Sequence, residues 1–194
     1  MLREWGGSTL QVIYLFAPMI PALLASGVVL RFDLFRALRR PIDGGATIRG
    51  RRVFGDSKTW RGVIVAIAGC IFGAAVQKYF VGDRAGALAL VDYGGINVFV
   101  FGAAMGGGAM LGELPNSLVK RRLAIPPGGT TRGPFAALFY VWDQVDLLTT
   151  AWPLLRFWVR PTPRLVVLSV VVTMTIHPIS SLIGFLLGAR KSAR

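Results

Sequence analysis

The chain has 194 residues, 54% of them hydrophobic and only 16% charged, with a mean hydropathy of +0.59. Soluble domains average about a quarter charged residues, so this composition excludes an ordinary soluble globular domain and makes lipid the solvent. Lys and Arg number 22 against nine acids, for a net charge of +13. That balance calls for anionic partners such as lipid headgroups, a phosphorylated substrate or a nucleotide. Nucleic acid is the weakest of them, because long apolar runs leave little soluble surface for a groove binder.

The length fits a single multi-pass membrane domain over residues 1–194, all-α in class. A span needs ~20 mostly apolar residues, and five stretches qualify. Thr9–Leu30 comes first, with Pro18 and Pro21 inside it; it is longer than a signal-peptide core and is read as a span. Gly62–Gly82 follows, with Lys78 placed to snorkel toward the interface. Its Cys70, the one cysteine, reads as a small buried hydrophobe, and no Cys/His zinc spacing is possible. Tyr93–Gly112 carries no charge at all. The fourth stretch lies within Gly133–Val159 and contains Asp143 and Asp146; the fifth is Leu165–Ala189, with His177 read as structural.

Basic residues set the orientation. Segment 31–61 holds nine, segment 113–132 adds four and the C-terminal tail three, so one side would hold sixteen of the 22. Five spans with the N-terminus outside place these segments, and the catalytic loops with them, on the cytoplasmic side of the cell membrane. Arg156, Arg160 and Arg164 then lie outside, against the rule. Small-xxx-small pairs, Gly69/Gly73, Gly102/Gly106, Gly108/Gly112 and Gly184/Gly188, fit close helix packing in lipid. Pro126–Gly133, rich in Pro and Gly, reads as a loop on the basic side.

Chemistry concentrates in three places. Asp143 and Asp146 are three residues apart and share a helical face, where they can chelate a hard divalent cation through oxygen. A helix starting near Tyr140 would put both in its first turns, at the positive end of its dipole. Capping or a salt bridge to a neighbouring Arg is the competing reading. Second, Glu113, Asn116, Ser117, Lys120 and Arg121 fall on one face if the third helix continues, although Pro115 also suits the first turn of a new one. Lys120-Arg121-Arg122 by itself could be a membrane anchor. Third, Gly55 permits a tight turn whose N–H groups approach a phosphate, with Lys58, Arg61, Ser57 and Thr59 adding cations and hydroxyls.

Three segments together carry a resemblance. Gly55-Asp56-Ser57-Lys58-Thr59-Trp60-Arg61-Gly62 resembles the GD-x-KTWRG motif of the archaeal CDP-archaeol synthases. Ser117–Leu123 resembles their S-F-x-KRRL segment, and Asp143-Gln144-Val145-Asp146 their DQ-L-D. The octapeptide is specific; the other two gain specificity in combination. The resemblance implies a cytidylyltransferase, related to the phosphatidate cytidylyltransferases, that uses CTP, Mg²⁺ and a lipid phosphate (digeranylgeranylglyceryl phosphate in that family). It implies that Asp143 and Asp146 hold metal, with Glu113 as a third acid. Lys58, Arg61, Lys120, Arg121 and Arg122 would hold phosphates, with Gly55, Asp56, Thr59 and Ser117 completing the nucleotide set.

Some positions depart from the pattern. Glu113 stands where an Asp is expected, the segment between Gly129 and Asp143 is longer, with an apolar piece at Phe135–Val141, and Ser180-Ser181 replace an expected Asn. Arginine outnumbers lysine 18 to four, which suits a GC-rich genome and leaves two lipids open, an ether-linked isoprenoid or a diacyl phosphatidate. Asp43-Gly44-Gly45-Ala46-Thr47-Ile48-Arg49 echoes the CDP-alcohol phosphotransferases, but the Ala-Arg adjacency and the following acidic spacing are absent. An anion transporter would be expected to show an internal repeat, and none is seen. A structural subunit would leave the two intramembrane acids unexplained.

Overall fold

In the computed structural model the chain is helical, and the structure describes residues 2–126, 129 and 136–186. The first apolar stretch forms two helices, α1 (Leu2–Phe16) and α2 (Met19–Arg31), bent by 48° at Ala17-Pro18. Proline cannot donate to the preceding turn, so the ladder breaks there. After α2 the chain reverses through Asp33 and Phe35, both at positive φ, and reaches a two-strand hairpin, β1 (Thr47–Ile48) and β2 (Arg51–Arg52). Its antiparallel register pairs Thr47 with Arg52 and Ile48 with Arg51. The two-residue connection, Arg49-Gly50, has φ of 51° and 73°, as a primed hairpin turn requires.

Helix α3 (Trp60–Val76) starts where Thr59 Oγ1 accepts a hydrogen bond from the Gly62 N–H at 3.3 Å. It passes through a wide turn into a 3₁₀ segment, the whole of Trp60–Leu88 being long and apolar enough to cross a membrane. Lys78 caps the next loop, donating to the carbonyls of Gly94 and Ile96 at 3.2 and 2.8 Å. Asn97 caps α4 (Val98–Arg122), which continues unbroken through Pro115. At 1.5 Å per residue its 25 residues extend about 37 Å, more than the ~30 Å hydrocarbon layer, so its basic last turn emerges at the interface.

The fourth apolar stretch is not one helix. It divides into α5 (Ala136–Val145) and α6 (Leu148–Leu155), with a turn at Asp146-Leu147. Asp143 therefore sits in the last turn of α5 and Asp146 in the turn itself, not in the first turns of a helix. α7 (Pro163–Leu186) closes the bundle. Among the described residues two helices qualify as spans, or three when the bent α1–α2 pair counts as one. The side chains of His177, Ser180 and Ser181, residues 130–135 and the basic tail lie outside the described residues, as does the Gly184/Gly188 pair.

Glycine sets the packing. A Cβ at Gly69 would come within 2.3 Å of Ala22 on α2, and one at Gly73 within 2.5 Å of Pro18 in the bend before it. One at Gly102 or Gly106 would come within 2.5 Å of Ile71 or 2.6 Å of Ala66 on α3. Gly108 and Gly112 do the same for the α5–α6 region. Each small-xxx-small face serves a different neighbour, and together they let α4 lie in the middle of the bundle. Buried side chains including Leu15, Cys70, Phe101, Met105 and Leu155 fill the space between helices.

Candidate active site

The continuous α4 puts Glu113, Asn116, Ser117, Lys120 and Arg121 on one stripe, at three- and four-residue spacing. The acids of the α5–α6 turn come to it because Gly112 has no side chain. Its ideal Cβ would fall 2.3 Å from the Asp146 carbonyl oxygen. Asn116, 3% exposed, then spans both carboxylates, its Nδ2 donating to Asp143 Oδ1 at 2.6 Å and Asp146 Oδ2 at 2.9 Å. Lys120 forms an ion pair with Asp143, and Lys58, arriving from the loop before α3, forms one with Glu113. At the end of α5 the dipole opposes a carboxylate, so Lys120 and the Asn116 amide provide the stabilisation for Asp143. Asp146 is 7% exposed and has no ion-pair partner among the described residues.

The basic triplet divides three ways. Lys120 sits on a carboxylate. The Arg122 guanidinium donates to the carbonyls of Ile48, Arg51 and Arg52, at 2.5, 3.0 and 2.6 Å. Arg121 is 9% exposed, and its Nε and Nη1 are buried without a hydrogen-bond partner. A buried guanidinium with unmet donors is costly and is ready for an anion.

Several residues expected on a phosphate have other work. Arg61 is buried and donates to Asp33 Oδ1 at 2.7 Å and to the Leu34 carbonyl at 3.0 Å, tying the start of α3 to the end of α2. Thr59 caps α3. Asp56 pairs with Arg52. Gly55 does adopt a positive φ, 87°, but its N–H points inward, to Asp43 Oδ2 at 3.3 Å. Ser117 is buried on the α4 stripe, as its spacing required.

Asp43, which in the sequence stands only in the discounted echo of the CDP-alcohol phosphotransferases, organises the loop before α3. Its carboxylate accepts from the N–H groups of Gly45, Phe54 and Gly55 and from the Arg52 guanidinium. Burial would raise its pKa, but those hydrogen bonds outweigh burial and lower it to about 2. The signal was there in Asp43-Gly44-Gly45, an Asp opening a glycine turn. Asp33, whose carboxylate meets Arg36, Arg39 and Arg61, was overlooked.

Below the charged stripe lies an apolar cavity of about 360 Å³, walled by α1, α2, α3, α4 and α7 and reaching Glu113. Among the described residues no three acidic, His or Cys groups cluster to hold a metal. The donors nevertheless suit Mg²⁺, which is bound by one or two carboxylates plus substrate phosphates and does not need an all-protein cage. Asp143 and Asp146 lie on one amide, and Asn116 Oδ1 is buried with no hydrogen-bond partner, a further oxygen left for a cation.

Cations and carboxylates interleaved at one end of an apolar helical bundle, above an apolar cavity that reaches Glu113, mark a membrane protein with a charged site at the end of its helices. The comparisons with known proteins agree and go further. The family model described as CarS-like, CDP-archaeol synthase, matches residues 9–193, so the chain belongs to that family. The CDP-archaeol synthase of Pyrobaculum islandicum is 29% identical over 184 residues, covering 94% of this chain and 98% of its own. That of Halobacterium salinarum is 37% identical over 160 residues, covering 78% and 81%. A solved structure described as an intramembrane enzyme for archaeal membrane lipids biosynthesis shares the fold, with a TM-score of 0.61 at 24% identity, covering 88% of this chain and 92% of that one.

Proposed function

We propose that the chain transfers CMP from CTP to a lipid phosphate of the digeranylgeranylglyceryl type, giving a CDP-activated lipid and pyrophosphate. It is a membrane-embedded, CTP-dependent cytidylyltransferase. The observation that supports this site assignment best is Arg121, a buried guanidinium with unmet donors on the same turn of α4 as Lys120, which pairs with Asp143.

In the reaction a lipid phosphate oxygen attacks the α-phosphorus of CTP, a P–O bond forms there, and the bond to the bridging oxygen of the β-phosphate breaks. The second pKa of a phosphate monoester is about 6, so the nucleophile is ionised near neutral pH and needs no general base. Catalysis is then positioning and charge neutralisation. Asp143 and Asp146, with Glu113 beside them, would hold Mg²⁺, which when bound neutralises phosphate charge. Lys58 and Lys120 rest on carboxylates of that same set, and with Arg121 they face the phosphates. The cavity below Glu113 suits the lipid chains, its apolar walls belonging to the membrane helices. A topology with an outside N-terminus, which the distribution of basic segments supports, would put this end of the bundle in the cytoplasm, where CTP is.

Pyrophosphate release by purified protein in detergent tests the reading. CTP and Mg²⁺ are offered with digeranylgeranylglyceryl phosphate and, in parallel, phosphatidic acid. Release with the first and little with the second is expected; preference for phosphatidic acid would reassign the lipid, and release with neither would remove the activity.

A further inference from the structure

We infer that Arg122 is a positioning residue, the latch that docks the 41–59 loop onto α4 and thereby sets Lys58 over the site. Three observations carry this. The Arg122 guanidinium makes three hydrogen bonds, all to carbonyls of the β1–β2 hairpin, some 70 residues away in the chain. The contact is reciprocal, since the Arg51 guanidinium donates back to the Arg122 carbonyl. The hairpin is also joined rigidly to the segment leading into α3. Arg52 on β2 pairs with Asp43, and Asp43 binds the N–H groups of Phe54 and Gly55, three residues before Lys58.

The loop is therefore pinned to α4 at two points, Arg122 at its end and Glu113 about two and a half turns earlier, through Lys58. Asn116, Ser117 and Lys120 lie between these pins. Only a planar guanidinium with several N–H groups in a fixed fork reaches three carbonyls, whereas a lysine ammonium would meet one or two. A phosphate ligand at this position would behave in the opposite way, since a lysine serves a phosphate well as a point charge. This inference rests on the reading of Lys58 as a triphosphate contact, while the docking itself can be measured without turnover.

Arg122→Ala, Arg122→Lys and Arg51→Ala are compared in the full-length protein in detergent, by the rate of trypsin cleavage after Arg49 and by steady-state kinetics. If losing the latch leaves the loop docked about a tenth of the time, the KM for CTP rises about tenfold while saturating CTP restores kcat. Both Arg122 variants are expected to show that rise together with faster cleavage, and CTP should slow the cleavage. Arg51→Ala, which alters no site residue, should give a smaller rise that is not additive with Arg122→Ala. Unchanged cleavage in Arg122→Ala overturns the inference. So does a normal KM in Arg122→Lys, or a normal KM in Arg51→Ala when Arg122→Ala raises it. Faster cleavage in a protein that releases no pyrophosphate would instead leave the latch standing and remove the cytidylyltransferase reading.

Discussion

Gly112 lies so close to Asp146 that a methyl group on it would come within 2.3 Å of the Asp146 carbonyl oxygen. The approach brings the α5–α6 turn, and both its acids, against the α4 stripe. Gly112→Ala must push that turn away, and the amide of Asn116 can no longer hold both carboxylates. Misplacement of about 1 Å can cost about 10²-fold in rate. We expect kcat/KM to fall about that far with the protein still folded, and the thermal midpoint in detergent beside pyrophosphate release measures both.

Asp146→Asn removes the buried carboxylate while keeping its shape and its place beside Asn116. Turnover should fall by at least about 10²–10³-fold, in the range seen when one electrostatic stabiliser of a transition state is lost. Membrane insertion should be unchanged. Activity retained by this variant would refute its assignment as a metal ligand.

Chelation should have the same consequence in the wild-type protein. EDTA should stop pyrophosphate release and Mg²⁺ should restore it, whereas Ca²⁺, larger and less demanding of octahedral geometry, should restore little. Full activity after exhaustive chelation would exclude the metal role of Asp143 and Asp146.

Arg121 and Arg61 are both buried arginines, with opposite expectations. Arg121→Ala should raise the KM for CTP or for the lipid phosphate, because the cation is lost, whereas Arg121→Lys keeps a point charge there and should retain most of the affinity; both should leave the thermal midpoint near that of the wild type. Arg61→Lys loses the bonds to Asp33 and Leu34 and should lower the midpoint with little effect on KM. Breaking a hydrogen bond to a charged group costs about 1.5–3 kcal/mol.

Asp43 makes the loop acid-sensitive. Its pKa is lowered to about 2 from 3.8. A carboxyl group lowered by folding contributes stability that is fully present above its unfolded value and is lost as the pH falls through the folded one. Docking of the loop should therefore weaken between about pH 4 and pH 2, and hydrogen exchange at residues 44–55 should rise over that window. In Asp43→Asn exchange should already be raised at neutral pH, and the acid transition should disappear.

Much of this was legible along the chain. Apolar runs fixed where helices lie, because a helix in lipid must satisfy its own backbone and the run length is set by the bilayer. Residues at three- and four-residue spacing from Glu113 to Arg121 had to share a face once α4 continued, and Pro115 did not stop it. The Lys58, Lys120 and Asp143 motifs were visible by type and order. The break at Asp146 was not, since Phe135–Val159 is mostly apolar and uncharged apart from its two acids and Arg156, and a turn within it depends on the room Gly112 makes on another helix.

Alike in sequence, the cations were separated only by their tertiary partners. Arg61, Arg121 and Arg122 carry the same group in the same kind of basic segment. The sequence by itself determined that this protein lives in lipid and concentrates cations and acids where phosphates would be held. Only the tertiary structure decided that Arg61 braces a helix start, Arg122 holds a hairpin and Arg121 keeps its donors unmet. The physical reason is that a charged group's role is set by the acceptor nearest in space, and here those acceptors lie 27 to 74 residues away along the chain.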